Sequence, residues 1–314
     1  MTALLEVAGL VKHFPMRGGA VRAVDGVSFT LDRGETLSLV GESGCGKSTV
    51  GRCVLRLLRP TAGQVTLAGQ RIDTLPERRL RPLRRHMQVV FQDPFSSLDP
   101  RQRVVDAIGE PLRNFGLASG AALRARVAGL LDQVGLPAAA MDRLPHEFSG
   151  GQRQRIGIAR ALAPGPDLLI CDEAVSALDV SVKAQIVNLL MGLQARLGLA
   201  LLFISHDLAI VEHLTHRVAV MYLGRIVETA DRAALFAAPR HPYTRALLSA
   251  VPVPDPLAAR NRTVLRGDVP SPRSPPPGCR FHTRCPAAFD RCRTEEPVPR
   301  QVGPGHIAAC HLEA

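Results

Sequence analysis

The run Gly41-Glu42-Ser43-Gly44-Cys45-Gly46-Lys47-Ser48-Thr49 constrains this chain more than any other stretch. Glu35-Thr36-Leu37-Ser38-Leu39-Val40 ahead of it reads as a short apolar strand, and residues 50–58 after it read as a helix with few breakers. Strand, glycine loop and helix in that order make an anion site. The glycines let backbone N–H groups turn inward, and the positive end of the helix faces the same anion. In the pattern G-x-x-x-x-G-K-[ST], Lys47 reaches the β- and γ-phosphates of a nucleotide and the Ser48 hydroxyl ligates Mg²⁺. Gly41, Ser43, Gly44, Cys45, Gly46 and Thr49 complete the cradle.

The rest of the composition bounds what the nucleotide serves. A chain of 314 residues with 46% hydrophobic content is long enough for two domains and a sizeable core. Its longest apolar run, residues 199–204, falls far short of the roughly 20 residues that span a bilayer, and no basic-then-apolar leader opens it. We therefore expect a cytoplasmic protein. The net charge of +11 is almost all arginine, because the lysines are Lys12, Lys47 and Lys183 alone; that skew reads as base composition in a GC-rich genome. Aromatic content of 4% with no Trp offers no base-stacking platform, so nucleic acid is not expected as a partner.

Residues 5–10 alternate weakly as a strand, a loop is expected over 12–19, and residues 21–31 supply more strand before a turn at Asp32-Arg33-Gly34. Phe14 in that loop suits either stacking on adenine or a place in the core. Residues 63–69 read as a hairpin strand, the basic run 78–85 as a solvated face, and 87–91 as a strand. From 104 to 141 the pattern is helical, with an amphipathic stretch at 121–134. Leu168-Leu169-Ile170-Cys171-Asp172 is a buried-type strand ending in a carboxylate, followed by Glu173; residues 199–204 form another, ending at Ser205-His206-Asp207. Parallel sheets gather their ligands at the carboxyl ends of strands, where Asp172, Glu173 and His206 would meet the phosphate loop.

Between these strands stands Phe148-Ser149-Gly150-Gly151-Gln152 ahead of a helix-forming run. This is a second anion-receiving helix start, although a plain helix cap would explain Ser149 and the glycines by themselves. One nucleotide rarely needs two such ends from one chain, so the second is expected to face a partner's nucleotide.

At this point the chain resembles the ATP-binding subunits of ABC transporters over about residues 4–250. The matching motifs are 41–49 for Walker A, Gln92 for the Q-loop, Ser149 to Gln152 for the signature, and 168–172 for Walker B. Glu173 matches the catalytic glutamate, Ser176-Ala177-Leu178-Asp179 the D-loop and His206 the switch histidine. Phe148 stands in place of the usual leucine, and Ala174-Val175 in place of Pro-Thr.

The resemblance implies an α/β fold with a mostly parallel core sheet, an antiparallel β subdomain and a helical subdomain near residues 95–165, all within 1–238. A small irregular Cys/Pro-rich extension would occupy 239–314. It also implies roles. Lys47, Glu173 and His206 serve catalysis, Ser48, Gln92 and Asp172 hold Mg²⁺, and Asp179 and the partner's signature complete the ATP site. Two ATPase subunits, identical or not, and two permease subunits would assemble on the cytoplasmic face of the membrane, served indirectly by a peptide-binding protein.

Phe91-Gln92-Asp93-Pro94 running on to Ser97-Leu98-Asp99-Pro100, together with His241-Pro242-Tyr243-Thr244-Arg245 and the tail, resemble the dipeptide and oligopeptide importers. Importers of nickel and other small solutes share much of this tail and form the alternative; an exporter ATPase and a nucleic-acid-directed ABC ATPase fit less well.

Residues 251–277 are rich in proline and arginine and read as an extended wrap. Beyond them Cys279, Cys285, Cys292 and Cys310 give C-x5-C-x6-C-x17-C with His282, His306 and His311 interspersed. In a reducing compartment four such thiols suit tetrahedral Zn²⁺, a [4Fe–4S] cluster or no ligand at all; the resemblance favours the cluster. So short a tail is expected to need a metal staple to fold. Cys45, Cys53 and Cys171 read as small buried hydrophobes.

Overall fold

The structure, a computed structural model, describes residues 3–93, 97–251 and 265–313. In chain order its elements begin with β1 (Leu5–Met16), β2 (Gly19–Leu31), β3 (Thr36–Val40), α1 (Lys47–Val54), β4 (Ala62–Leu67), β5 (Gln70–Arg71), α2 (Glu77–Leu83) and β6 (Met87–Val90). There follow α3 (Val104–Asn114), α4 (Gly120–Gln133), α5 (Gly150–Leu162), β7 (Leu168–Asp172), α6 (Val180–Leu197), β8 (Ala200–Ser205) and α7 (Leu208–Leu214). The C-terminal part holds β9 (Arg217–Tyr222), β10 (Arg225–Asp231), α8 (Arg232–Ala237), α9 (Pro242–Ser249), α10 (Asp290–Thr294), β11 (Arg300–Gly303) and β12 (His306–Ala308). The chain divides into two compact units, one built mainly from residues 74–204 and the other from 5–30, 36–73 and 205–314. Among the described residues no helix is long and apolar enough to cross a membrane.

The first unit holds β6, β7 and β8 side by side and parallel, with Cys171 opposite Val90 and Phe203 and Asp172 opposite Ile204. Every residue of β7 and β8 is buried, which is why their sequences are continuous apolar runs without alternation. Helices α3, α4 and α5 pack on one another. In α4, Leu123, Val127, Leu130 and Leu131 are buried at the spacing of one helical face. The basic stretch forms α2, where only Leu80 is buried, so its arginines are solvated as their pattern implies.

The second unit contains the antiparallel sheet β2-β1-β4-β5 and the strand series β11-β12-β10-β9-β3. Strand β1 runs to Met16, so the loop expected over 12–19 is mostly strand. The cause is pairing: Val11 lies opposite Ala62 and its C=O accepts from Thr61, whose hydroxyl accepts the His13 N–H at 3.0 Å. Phe14 is half-buried in β1 with the Lys12 ammonium 4.9 Å from its ring centre.

The tail departs furthest from expectation. Residues 252–264 of the expected wrap, and Pro94 of the Gln92 motif, lie outside the described residues. The rest of the tail is fastened by strand pairing and side-chain contacts, where the sequence led us to expect a metal staple. Strand β12 pairs with β10, with Ala308 opposite Glu228 and Ile307 opposite Thr229. Phe281 is buried among Tyr222, Tyr243 and His241, its ring centre 5.2 to 5.6 Å from theirs. Buried Glu228 accepts from the Arg240 and His241 N–H groups at 2.7 and 3.0 Å and lies 2.7 Å from His306 Nε2, which fixes the tail hairpin to the start of α9. Among the described residues no three His, Cys, Asp or Glu side chains are gathered as a metal site.

His241 starts α9 by accepting the Tyr243 N–H on Nδ1 at 3.1 Å, with Pro242 at the first helical position. Burial, and then the charge of Arg245, push its pKa down to about 3. The native ring is therefore neutral where the unfolded one, with an ordinary value near 6.5, takes a proton. The unfolded state binds more protons between those values, so stability is lost as pH falls through that window, at up to about 1.4 kcal/mol per pH unit. His241→Asn keeps a capping acceptor without a titrating ring. Chemical denaturation between pH 6.5 and 4.5 should show a shallower loss of stability for this variant than for the native chain, the carboxylates titrating alike in both.

Candidate nucleotide site

In the second unit β3, buried along its whole length, delivers the chain to Gly41, and α1 begins at Lys47 behind Gly46. The loop between is held tightly. A Cβ at Gly41 would lie 2.2 Å from the Met221 carbonyl oxygen, and one at Gly46 would lie 2.0 Å from that of Ala23. Gly46 also has φ of +107°, a backbone that side chains resist. The Cys45 carbonyl accepts from Gly224 N–H at 2.9 Å, and the Gly224 carbonyl accepts from Asp25 N–H at 2.9 Å. The loop is thus fastened to the β9–β10 turn, and that turn to β2.

Lys47 is buried, with Nζ donating to the carbonyls of Gly41 at 2.7 Å and Glu42 at 2.9 Å and lying 3.8 Å from Cys45 Sγ. Burial pushes the Cys45 thiol up, against the pull of the Lys47 ammonium, so the thiol stays protonated. An inward cation, a helix start and a loop without side chains in the way form a donor set that fits the polyphosphate of ATP with Mg²⁺. Ser48 and Thr49 are half-buried in the first turn of α1, Ser43 and Gly44 are exposed, and His206 is exposed just ahead of α7.

The remaining expected residues belong to the first unit. Asp172 is 8% exposed at the end of β7, and Glu173 next to it has φ of +52°. That backbone costs a glutamate on the order of 1–3 kcal/mol and is the kind of strain that collects at reacting centres. It is pinned on both sides. Glu173 N–H donates to the Ile204 carbonyl at 3.0 Å, and the Ser176 hydroxyl and N–H both donate to the Glu173 carbonyl at 3.0 Å. Gln92 is exposed beyond β6, and Asp179 is exposed at the start of α6.

Ser149 caps α5: its hydroxyl accepts the Gln152 N–H at 3.3 Å while Gln152 Oε1 accepts the Ser149 N–H at 3.0 Å. Both readings of this segment therefore begin from a real helix cap. Gly150 is helical, and a Cβ on Gly151 would meet Val182 Cγ1 at 2.5 Å, so a side chain there would force Val182 of α6 to shift.

Sequence reasoning missed three residues at the phosphate loop, Glu42, Tyr243 and Arg284. Glu42 stands at a variable position of the motif, which gives its side chain no role. Its N–H donates to Tyr243 Oη at 2.8 Å, and its carboxylate accepts both terminal nitrogens of Arg284 at 2.7 and 3.0 Å. The available signal was the pair of arginines, Arg280 and Arg284, placed either side of Phe281 in a tail short of other large apolar groups.

Comparison with known proteins gives two family matches, the ABC transporter family over residues 24–176 and the oligopeptide/dipeptide transporter C-terminal region over 227–292. A Brucella ovis protein named for peptide import and ATP binding is 56% identical, over 98% of both chains. The oligopeptide transport ATP-binding protein AppF of Bacillus subtilis is 50% identical over 98% of this chain and 97% of its own. Among solved structures, the bacterial ABC transporter cassette MJ0796, determined as a dimer, matches with a TM-score of 0.66 and 27% identity over 73% of this chain and 98% of its own.

The glycine geometry orders two substitutions. Nothing lies within 4 Å of the place a side-chain carbon would take at Gly44, so Gly44→Ala meets only its φ of +79°, worth about 1–2 kcal/mol. Gly46→Ala adds the collision with the Ala23 carbonyl. Titration calorimetry with ADP should show binding weakened modestly by Gly44→Ala and abolished by Gly46→Ala.

Proposed function

Because the chain belongs to the ATP-binding subunits of ABC peptide importers, we propose a division of labour among its residues. The chain is an ATPase that powers peptide import and uses ATP with Mg²⁺; such cassettes dimerise and work with membrane permease subunits. A single observation carries this reading. Relatives named for peptide transport match the whole length, from nucleotide loop through cysteine tail, and not the cassette alone.

In our proposal Gly41, Ser43, Gly44, Cys45, Gly46 and Thr49 cradle the phosphates. Lys47 turns its ammonium from the Gly41 and Glu42 carbonyls toward the β- and γ-oxygens. Ser48, Gln92 and Asp172 hold Mg²⁺, and Phe14 stacks on the adenine. Glu173, held in its strained turn, polarises the attacking water, and His206 keeps water and γ-phosphate in line. Phosphoryl transfer asks for little beyond such alignment and neutralisation. The α5 start at Ser149, Gly150, Gly151 and Gln152, with Asp179, would close over the ATP held by a second ATPase subunit. Peptide is favoured over nickel or another small solute by the relatives' names. The finer arrangement we propose divides the chain near residue 238 and sets it on the cytoplasmic face of the membrane. A peptide-binding protein on the far side would supply the permease.

The tail metal is a smaller proposal. The thiols of Cys279, Cys285 and Cys310 are pushed up by burial, that of Cys279 to about 11, and nearby tail cysteines push them further. That mutual repulsion is what a soft cation would relieve, but among the described residues the side chains are not gathered as a formed ligand set, and no step of the mechanism runs through a metal in the tail. Protein purified without oxygen should contain iron or zinc in stoichiometric amount if Cys279, Cys285, Cys292 and Cys310 bind one. Absence of both removes metal from the account.

The catalytic assignment predicts that Glu173→Gln lowers ATP turnover by at least about a hundredfold, the scale of a lost general base, while retaining ATP. Size-exclusion chromatography with ATP present should then show a trapped dimer. Undiminished turnover would reject Glu173 as the residue that activates water.

A further inference from the structure

Glu42 is the point at which the tail grips the phosphate loop. Its three polar groups go three ways: the carbonyl accepts from Lys47 Nζ at 2.9 Å, the N–H donates to Tyr243 Oη at 2.8 Å, and the carboxylate takes both Arg284 nitrogens. The residue that aims the loop's cation is thus itself held by two side chains from beyond residue 240. The Arg284 side chain is 8% exposed, against 28% for that of Glu42. The hydrogen bonds to Glu42 hold the guanidinium firmly in its charged form. Around them Tyr222, Tyr243 and Phe281 pack ring on ring, with centres 4.7 to 5.4 Å apart. One turn earlier in the tail, Arg280 donates to the Leu223 carbonyl and pairs with Asp25, beside the Gly224 that holds the Cys45 carbonyl.

A carboxylate in a loop that receives a triphosphate is an electrostatic liability. Left unpaired, it repels the ligand and is free to swing, taking the Lys47 acceptor with it. We propose that Arg284, supported by Tyr243, is a positioning residue for ATP: it cancels the Glu42 charge and fixes the loop in the shape that receives phosphate. The cysteine tail is then part of the nucleotide site. This rests on the phosphate-loop reading above and extends it to the tail.

The test compares four full-length proteins: native, Arg284→Gln, the double variant Glu42→Gln/Arg284→Gln, and Arg291→Gln. The last removes a different tail contact, the exposed pair with Glu295 at the end of α10, away from Glu42. ADP affinity is read by titration calorimetry, and KM and kcat for ATP by phosphate release. Arg284→Gln should weaken ADP and raise KM about tenfold, the factor that a single misplaced charge commonly costs, with kcat changed less than about twofold. The double variant should recover to within about threefold of native, because the unpaired carboxylate has gone. Arg291→Gln should leave KM near native. An unchanged KM in Arg284→Gln, a failure of the double variant to recover, or an equal rise in Arg291→Gln would overturn the proposal. Failure of the native protein itself to bind ADP would overturn the nucleotide reading instead.

Discussion

The second unit is built on close approach of backbone to backbone around the phosphate loop. At Gly41 and Gly46 the carbonyl oxygens of Met221 and Ala23 occupy the space a side chain would need. Because nothing intervenes, the loop inherits the rigidity of β2 and of the β9–β10 turn, through Gly224 and Asp25. A loop so held can keep its shape without ligand, and preorganisation of that kind is where much of the affinity of an anion site comes from. The burial of Lys47 follows from the same tightness, since its ammonium finds loop carbonyls instead of water.

Much of this was legible in the residues. Continuous apolar runs marked β7 and β8 because strands buried on both faces need no polar alternation. The order of Ser149, Gly150, Gly151 and Gln152 marked a helix start, and the reciprocal bonds between Ser149 and Gln152 are its physical content. The extension of β1 through Phe14 to Met16 was not legible, because a strand that continues by pairing with distant Thr61 and Ala62 leaves little trace in local pattern. The positive φ of Glu173 was equally hidden. Glycine or asparagine would have announced such a backbone, whereas a glutamate adopts it only because Ile204 and Ser176 hold it there.

The tail shows why composition can mislead. Its arginines look like the arginines everywhere else in a chain with three lysines, so base composition is a sufficient account of their number. Number is not placement. Arg280 and Arg284 are among the least exposed cations in the tail, each spent on a carboxylate from the N-terminal part of the sequence, Asp25 and Glu42. With Phe281 between them and His306 against Glu228, they supply the fastening that seemed to call for a metal. A planar guanidinium that binds a carboxylate through two nitrogens does this better than an ammonium could.

The contacts of Glu42 also set an order of events during synthesis. The loop at residues 41–49 and the first strands leave the ribosome early, yet Tyr243, Arg284 and the β12 partner of β10 are made about 200 residues or more later. Pairings so distant in sequence close slowly and late. A nascent or truncated chain that already carries the whole phosphate motif but ends before Tyr243 therefore lacks the two side chains that hold Glu42.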